Sequence, residues 1–242
     1  MRVGILIQAR LGSTRLPCKV LLSLGGYTVL GYMIERLKLC RNADLIAVIS
    51  PEESGNSLIE KVAKLHGAKF FRGNEHDLLD RYTEAAKMFG LDCVVRVTSD
   101  CPLIDPVMVD KMIDLFRESS GRYDLTTNCM KRTFARGMDV EILPERVLEQ
   151  LNSSNISCAH REHVTSYIEQ CPDKFNILEY NDNIDNSHFR LTIDEISDYI
   201  TVSNIVNEFS VVSFEYNEII DLIVKNPLVI TNSHVVQKEK GH

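Results

Sequence analysis

A short loop near the start of the chain concentrates groups that bind phosphate. Residues 10–19 contain three cations and two hydroxyls: Arg10, Arg15, Lys19, Ser13 and Thr14. Gly12 lets the backbone approach an anion closely and aim its N–H groups at it. A guanidinium can grip phosphate oxygens with two parallel hydrogen bonds, whereas an ammonium supplies a point charge. The loop therefore predicts a polyphosphate site, with a solvated basic loop as the alternative.

Known phosphate-binding patterns do not describe this loop. The P-loop pattern G-x-x-x-x-G-K-[ST] and the dinucleotide pattern G-x-G-x-x-G are both absent from it. An apolar run at residues 3–7 precedes the loop and is typical of a buried strand. Ligands of open α/β sheets bind beyond the carboxyl ends of strands, which is where this loop begins.

A first acidic turn follows a second strand-like run. Residues 93–98 favour a strand, and Asp100 comes directly after them. Carboxylate oxygens suit Mg²⁺, so Asp100 is a predicted metal ligand. Asp105 precedes Pro106, a residue preferred in the first turn of a helix, and we therefore expect Asp105 to cap that helix.

A second acidic turn repeats the arrangement. Residues 189–193 are predicted to form a strand, and Asp194 follows them at the start of a helical pattern. Asp194 could be a second metal ligand, or part of a helix cap that includes Glu195 and Asp198. The residues alone support both interpretations about equally, and the repeated order of strand, aspartate and helix favours the metal.

Further polar groups could bind a second substrate. Asp139 and Glu141 alternate on a predicted strand and would face one side of it, where they could bind an acceptor hydroxyl, an amine or a metal. An exposed edge strand has the same pattern. Arg161 and His163 lie on one predicted helical turn and could bind an anion, although a charged helix face has the same pattern. The loop before the strand adds Arg132 and Arg136.

The order of secondary structure is that of an α/β protein. Strands are expected at residues 3–7, 45–49, 69–72 and 93–98, and helices at 29–40, 57–66, 77–89 and 106–119. This alternation predicts a mostly parallel sheet with helices on both faces. The rhythm breaks in the second half, where strands are expected at 124–128, 139–142, 175–181 and 189–193, and helices at 144–151, 160–170, 196–209 and 216–225. We expect one domain over residues 1–231, with an elaborated half at about 124–190 and a fraying tail at 232–242.

Bulk properties narrow the classes of partner and compartment. The 242 residues are 44% hydrophobic and 25% charged, which is ordinary for a globular domain with a full core. A net charge of −7 without a basic patch argues against nucleic acid, and no apolar run is long enough to span a membrane. The seven cysteines form no C-x-x-C pair, which argues against a zinc site and favours the reducing cytoplasm.

The motifs taken together resemble a known family. Residues 7–19, Ile-Gln-Ala-Arg-Leu-Gly-Ser-Thr-Arg-Leu-Pro-Cys-Lys, are similar to the signature loop of cytidylyltransferases that make CMP-activated acidic sugars, such as the CMP-KDO and CMP-sialate synthetases. The resemblance is greatest to the spore coat polysaccharide biosynthesis type. Further similar segments keep their order along the chain: 71–82, 96–105, 137–141, 161–165 and 191–194.

The resemblance implies a Rossmann-like nucleotidyltransferase fold, CTP as substrate, Mg²⁺ as cofactor and a homodimer formed through the elaborated half. Arg10 and Lys19 would bind the triphosphate and act in catalysis, while Asp100 and Asp194 would hold the metal. The implied nucleotide-binding residues are Ala9, Arg10, Gly12, Ser13, Arg15, Lys19, Arg72, Gly73, Asp77, Arg81 and Ser99. The expected acceptor-binding residues are Arg132, Arg136, Asp139, Glu141, Arg161 and His163. Cys18 departs from the family pattern, which usually has glycine before the lysine.

The expected reaction transfers a cytidylyl group from CTP to an acidic sugar or a phosphorylated acceptor and releases pyrophosphate. The product would be an activated precursor for a surface polysaccharide. One alternative is a glycosyltransferase that consumes a nucleotide sugar, but the Asp-x-Asp motif typical of that class is absent from the sequence. Another is a non-catalytic homologue, which we would expect to have lost Lys19, Asp100 or Asp194.

Overall fold

A seven-stranded sheet forms the centre of the computed structural model, which describes residues 1–52 and 56–235. The strands are β1 (Val3–Gln8), β2 (Ser23–Leu24), β3 (Tyr27–Thr28), β4 (Leu45–Pro51), β5 (Lys69–Gly73), β6 (Cys93–Thr98), β7 (Leu125–Thr127), β8 (Glu141–Pro144) and β9 (Ile177–Glu179). The order across the sheet is β5-β4-β1-β6-β8-β7-β9, and β2 and β3 form a separate two-stranded ribbon.

Most neighbouring strands of the sheet are parallel. β1 pairs with β4 and β6, β4 with β5, and β7 with β9, all in parallel. β8 is the exception, because it runs antiparallel to both β6 and β7. The predicted mostly parallel α/β sheet is confirmed, and the antiparallel strand lies in the half where the simple alternation was expected to end.

Nine α-helices connect or flank the strands of the described residues. They are α1 (Val29–Leu37), α2 (Ser57–Leu65), α3 (Leu78–Phe89), α4 (Pro106–Glu118), α5 (Glu145–Ser153), α6 (Cys158–Glu162), α7 (Ser166–Gln170), α8 (Ile196–Glu208) and α9 (Tyr216–Lys225). No helix in the part of the chain described here is long and apolar enough to cross a membrane.

Local signals explain where the helices that border the site begin. Asp77 caps α3 by accepting a hydrogen bond from the Asp80 N–H at 2.9 Å. Asp105 caps α4 by accepting from the Val107 N–H at 2.9 Å, as its position before Pro106 predicted. Both caps fix the chain at the turn between a strand and the following helix, at the sheet edge where the strands end.

Two apolar cores cover the two faces of the sheet. Side chains alternate along a strand, so Ile5 and Ile7 of β1 join one core, while Leu6 joins the other. The first core includes α1, α4, α8 and α9, and the second includes α3, α5 and α7. Helices therefore lie on both faces, as the sequence predicted.

Three segments of the second half differ from expectation. The predicted helix at 160–170 is two short helices, α6 and α7, because Val164 between them has a φ of 34°. Among the described residues, the predicted strand at 189–193 forms only one isolated parallel β-bridge, between the backbones of Arg190 and Arg136. In the third segment the strand begins at Glu141, so Asp139 lies in the loop before it.

Part of the expected tail packs against the domain. Asn232 is buried and donates hydrogen bonds to Arg190 O at 3.0 Å and to Asp198 Oδ1 at 2.7 Å. Residues 236–242 of that expectation lie outside the described residues.

Candidate active site

A cleft of about 720 Å³ opens at the carboxyl ends of the central strands. That volume suits a small-molecule substrate, whose sites commonly span roughly 300–1,000 Å³. Its lining residues are Gln8, Ala9, Arg10, Gly12, Ser13, Thr14, Arg15, Lys19, Glu75, His76, Leu78, Arg81, Arg96, Thr98, Ser99, Asp100, Glu162, His163 and Asp194.

Strand register brings the first two motifs to one edge of the sheet. Gln8 at the end of β1 pairs with Thr98 at the end of β6. The Ser99 N–H then donates to Gln8 O at 3.1 Å, so the acidic turn begins beside the loop that follows β1. Neighbouring parallel strands end at the same level, which is why motifs 90 residues apart in the chain meet here.

The loop folds back on itself through a left-handed turn. Cys18 has a φ of 56° and a ψ of 21°, and its N–H donates to Leu11 O at 3.2 Å. The Leu21 N–H donates to Cys18 O at 2.8 Å and closes the short 3₁₀ turn that carries Lys19. Cys18 thus adopts a conformation that favours glycine, at the position where the family pattern usually has glycine.

Lys19 joins the loop at residues 10–19 to both acidic turns. Its Nζ lies 2.8 Å from Asp100 Oδ2, 2.9 Å from Asp194 Oδ1 and 2.7 Å from the carbonyl oxygen of Ile193. Burial lowers the pKa of the Lys19 ammonium, but the charges of the two carboxylates outweigh burial and raise it above its usual value. The side chain therefore remains a cation at neutral pH.

The sequence left open whether Asp194 faces a metal or caps a helix, and in the structure Asp198 takes part in the cap instead. Glu195 and Asp198 form the capping box of α8, with the Glu195 N–H 3.0 Å from Asp198 Oδ2. The carboxylate of Asp194 instead contacts Lys19 and lies 3.1 Å from Arg15 Nη2 and 2.8 Å from Arg190 Nη2.

The charges around Asp194 also set its ionisation. Burial tends to raise its pKa, but the Lys19 cation and the two guanidiniums that contact it hold the pKa below its usual value. Asp194 is therefore ionised at neutral pH and faces the cleft.

Two carboxylates that converge on one cation fit a magnesium ion. Asp100 and Asp194 both place an oxygen within 3 Å of the same Lys19 nitrogen, so they can also share a divalent cation. Mg²⁺ is commonly bound by one or two carboxylates together with phosphates of the substrate. Within the described residues there is no cluster of three or more His, Cys, Asp or Glu that could hold a metal. Asp100 and Asp194 thus offer carboxylate oxygens to a divalent cation at this edge of the cleft.

The segment before α3 forms another wall of the cleft. Arg81 donates from Nε to Asn74 O at 2.9 Å and from Nη2 to Glu75 O at 3.1 Å, so it shapes this segment. Of the four residues near this segment that the resemblance implies for nucleotide binding, Arg81 lines the cleft and the other three do not. Those three are Arg72, which pairs with Glu60 at 2.6 Å, Gly73 at the end of β5, and Asp77, which caps α3.

The structure separates the residues expected to bind the acceptor. Among them, only His163 lines the cleft. Arg161 is paired with Asp77, and Arg132 holds Asp139 through Nη2 and Oδ2 at 2.9 Å. Two others lie elsewhere in the sheet region. Glu141 is buried and paired with Arg96, and the backbone of Arg136 forms a β-bridge with that of Arg190, beside the Asp194 turn.

Sequence reasoning did not single out several lining residues. These are Gln8, Glu75, His76, Leu78, Arg96, Thr98 and Glu162. Each lies within a motif segment or directly beside one, and Gln8 and Thr98 are the last residues of their strands. The predicted ends of these two strands are the signal that could have identified Gln8 and Thr98. Nothing local points to Arg190, which supports Asp194 from outside the cleft.

Comparison with known proteins agrees with this architecture. Residues 4–233 match the cytidylyltransferase family. A solved structure of a cytidylyltransferase from Leptospira borgpetersenii serovar Hardjo-bovis is 45% identical, with a TM-score of 0.95 and coverage of 98% of this chain and 100% of that chain. The spore coat polysaccharide biosynthesis protein SpsF of Bacillus subtilis is 27% identical over 92% of this chain and 94% of its own length.

A more distant structure shares the fold. CMP:2-keto-3-deoxy-manno-octonic acid synthetase, solved with CTP, is 15% identical and has a TM-score of 0.67 over 86% of this chain and 99% of that chain. The Rossmann-like nucleotidyltransferase fold expected from the sequence is thereby confirmed. The match over nearly the whole chain establishes that this protein belongs to the cytidylyltransferase family and is a nucleotidyltransferase.

Proposed function

We propose that this protein transfers the cytidylyl group of CTP to a small anionic acceptor, with Mg²⁺ as cofactor and pyrophosphate as the second product. The observation that carries the proposal is the contact of Lys19 with both Asp100 and Asp194 at the end of the phosphate-binding loop. The cation could bind a triphosphate, and the carboxylate pair beside it could bind the metal ion of that triphosphate.

The triphosphate would lie along the loop. Arg10 is exposed in the cleft, and Ser13, Thr14 and Gly12 line the same wall. Guanidinium, hydroxyl and backbone groups can bind the phosphate oxygens together, while Lys19 approaches from the floor. Arg15 is half-exposed and already bound to Asp194, so it supports the metal-binding side of the loop.

Asp100 and Asp194 would hold the magnesium ion. When bound, Mg²⁺ neutralises negative charge on the phosphate oxygens and helps to orient them. Capping by Glu195 and Asp198 fixes the turn that carries Asp194, so its carboxylate is held in place before the substrate arrives.

In the proposed reaction an acceptor oxygen attacks the α-phosphorus in line, and a hydroxyl acceptor gives up its proton to solvent. The bond from the α-phosphorus to the oxygen that bridges it to the β-phosphorus breaks, and pyrophosphate leaves. Negative charge grows on the leaving group, where Arg10 and the Lys19 ammonium would neutralise it. The protein's contribution is then orientation and charge stabilisation, without a covalent intermediate on a side chain.

The acceptor is proposed to be an acidic sugar or a phosphorylated small molecule that enters the synthesis of a surface polysaccharide. The names of two proteins similar to this chain support that class, since one concerns spore coat polysaccharide and the other an octonic acid sugar. His163 and Glu162 at the end of α6 face the cleft and are our candidates for contact with the acceptor. Arg136, beside the Asp194 turn, is a further candidate for binding an acceptor anion.

We also propose that the chain forms a homodimer through residues 124–190 and works in the cytoplasm. In this region β9 is an edge strand of the sheet, and a partner could pack against it. All seven cysteines are free thiols, which supports a reducing compartment.

The test is pyrophosphate release by the full chain with CTP and MgCl₂, using a panel of carboxylated sugars and a panel of phosphorylated sugars and polyols. We expect release with members of one panel and a thermal shift with CTP and MgCl₂ alone. A larger thermal shift with UDP-sugars than with CTP would refute the proposal in favour of a glycosyltransferase. Binding of CTP without turnover on either panel would favour a non-catalytic homologue.

A further inference from the structure

The side chain of Gln8 is held in one orientation at the floor of the cleft. Its Oε1 accepts hydrogen bonds from Tyr82 Oη at 3.2 Å and from Arg96 Nη2 at 3.3 Å. A guanidinium only donates, so the amide must turn its oxygen, not its nitrogen, toward Arg96. The amide NH₂ then faces the other way. Within the described residues no protein group accepts a hydrogen bond from it, and Gln8 is half-buried in the cleft wall.

The two groups that hold Gln8 are themselves fixed. Tyr82 lies on α3, and its side chain is fully buried in the core. Arg96 is bound to Glu141, which lies directly opposite it in the antiparallel pair of β6 and β8 and is almost fully buried. Burial lowers the pKa of Arg96, but the neighbouring Glu141 carboxylate more than offsets this and raises it, so the guanidinium stays charged. A rigid chain of contacts therefore runs from Glu141 through Arg96 to Gln8.

This arrangement is more than a structural ion pair would require. Arg96 Nη1 donates to Glu141 Oε2, and its Nη2 also reaches Gln8 at the cleft wall, while Arg96 Nε and Glu141 Oε1 are buried without a hydrogen-bond partner among the described residues. The result is a hydrogen-bond donor whose direction is set before any ligand binds. Donors fixed in this way discriminate between ligands by the hydrogen-bonding pattern of the atom they meet.

We infer that Gln8 determines the choice of base: its amide NH₂ donates to N3 of cytosine, and Arg96, Glu141 and Tyr82 are positioning residues for it. Gln8 directly precedes the loop that would hold the phosphates, and Leu78 and Arg81 line the cleft close to Tyr82 in the chain. A base on this side would present its pairing edge to the strand ends. This inference rests on the proposed use of CTP and adds the residue that selects it.

The chemistry of the two pyrimidines makes the inference specific. N3 of cytosine is a hydrogen-bond acceptor, whereas N3 of uracil carries a hydrogen and is a donor. The fixed NH₂ can pair with cytosine but would meet a second donor in uracil, leaving both unpaired. An unpaired buried polar group costs roughly 1–3 kcal/mol, so we expect the protein to favour CTP over UTP on the order of 10- to 100-fold.

The experiment measures the Kd of CTP and of UTP by calorimetry, with MgCl₂, for the full chain and two variants. Gln8→Met keeps the size of the side chain and removes its hydrogen bonds, so the preference for CTP should fall to near unity. Gln8→Glu keeps one oxygen for Arg96 and turns the other toward the base, where it accepts from uracil N3. We expect the preference in Gln8→Glu to shift toward UTP, relative to Gln8→Met.

Controls separate this outcome from misfolding. Gln150→Met makes the same change at an exposed position of α5 and should keep the wild-type ratio. Glu141→Gln removes the charge that holds Arg96 and should reduce the CTP to UTP ratio without abolishing nucleotide binding, which a purely structural role would not do. Circular dichroism and thermal unfolding confirm that each variant is folded.

Each result bears on the inference. A wild-type protein that binds CTP and UTP equally well would overturn it, as would an unchanged ratio in both Gln8 variants. An unchanged ratio with an altered KM for an acceptor would assign Gln8 to the acceptor instead. In those cases pyrophosphate release from CTP could still be normal, so the proposed function would stand. Failure of the wild-type chain to bind CTP would remove both.

Discussion

Arg190 holds Asp198 with two hydrogen bonds, from Nε to Oδ1 at 2.8 Å and from Nη2 to Oδ2 at 3.0 Å, and the carboxylate is fully buried. Asp198 Oδ2 also accepts from the Asp194 N–H at 2.9 Å. One buried carboxylate thus fixes both the guanidinium beside Asp194 and the backbone of the turn that carries it.

The pair of Asp198 and Arg190 should make the stability of the protein depend on pH in the acidic range. Burial tends to raise the pKa of Asp198, but its hydrogen bonds from Arg190 and Asn232 hold the pKa below its usual value. A carboxyl whose folded pKa lies below its unfolded pKa of about 3.9 stabilises the fold above that pH and loses this effect as pH falls through the folded value. Asp198→Asn should therefore cost about 3–5 kcal/mol at pH 7, and the difference from wild type should shrink below about pH 4.

Urea unfolding at pH 7, 5 and 3.5 measures that difference, with Asp221→Asn on the exposed side of α9 as control. A gap between wild type and Asp198→Asn that stays constant down to pH 3.5 would show that ionisation of Asp198 is not its source.

Removing the Lys19 ammonium should slow the reaction strongly. Lys19→Ala takes away a positioned cation at the point where charge grows on the leaving pyrophosphate, and loss of one such donor costs on the order of 10²–10³ in kcat. Steady-state pyrophosphate release from CTP measures the change. Lys225→Ala alters an exposed lysine of α9 and should leave the rate as in wild type. Wild-type activity in Lys19→Ala would refute the catalytic role.

Cys18→Gly should stabilise the protein. Cys18 is exposed and left-handed, with a φ of 56°, so its side chain contributes little packing to offset the strain. The left-handed conformation costs an ordinary residue roughly 1–2 kcal/mol, which glycine avoids. Glycine also gives the unfolded chain more conformational freedom, and this offsets about 0.4–1 kcal/mol of the gain. We expect a net gain of about 0.5–1 kcal/mol in the free energy of unfolding.

Urea unfolding measures the Cys18→Gly effect, and Cys158→Gly is its matched control. Cys158 is also exposed but begins helix α6, where glycine is unfavourable, so that variant should be less stable than wild type. Equal effects of the two substitutions would mean that the backbone angle of Cys18 is not a source of strain.

Gly137→Ala should disturb the turn that carries Asp194 from a distance. Gly137 has a φ of 103°, and a Cβ there would lie 2.7 Å from the carbonyl carbon of Leu191 and 2.8 Å from its oxygen. Backbone atoms cannot yield as a side chain does, so residues 191–194 must shift. We expect a loss of stability of about 1–3 kcal/mol and a fall in the rate of pyrophosphate release.

Gly121→Ala separates the clash from the backbone angle. Gly121 has a φ of 79°, but a Cβ there meets nothing within 4 Å. It should lose stability through its angle alone and keep its activity. If Gly137→Ala retains full activity, the Leu191 contact does not control the position of Asp194.

The elements of the first half were predictable because their signals are local. Apolar runs marked β1 and β6, and Asp105 before Pro106 marked the start of α4. Parallel strands joined by helices then require the loop after β1 and the turn at Asp100 to share one edge of the sheet. The meeting of Lys19 with Asp100 follows from that order of elements.

The second half was less predictable because its arrangement depends on distant partners. The alternation of apolar residues cannot say that β8 enters between β6 and β7 and runs antiparallel to both. That choice places Glu141 behind Arg96, which no local pattern indicated. The segment at 189–193 has the composition of a strand. In the described part of the chain it forms only an isolated β-bridge, between Arg190 and Arg136, because the neighbouring segments there are loops.

The contact between Lys19 and Asp194 joins residues 175 positions apart, and this has a consequence during synthesis of the chain. At about 5–20 residues per second, the ribosome adds Asp194 on the order of 10 to 35 seconds after Lys19. Asp100 is added 81 residues after Lys19, and from then until residue 194 the nascent chain has the first carboxylate but lacks the second. Translation that stops before residue 194 would release a chain with a complete phosphate-binding loop and half of the acidic pair.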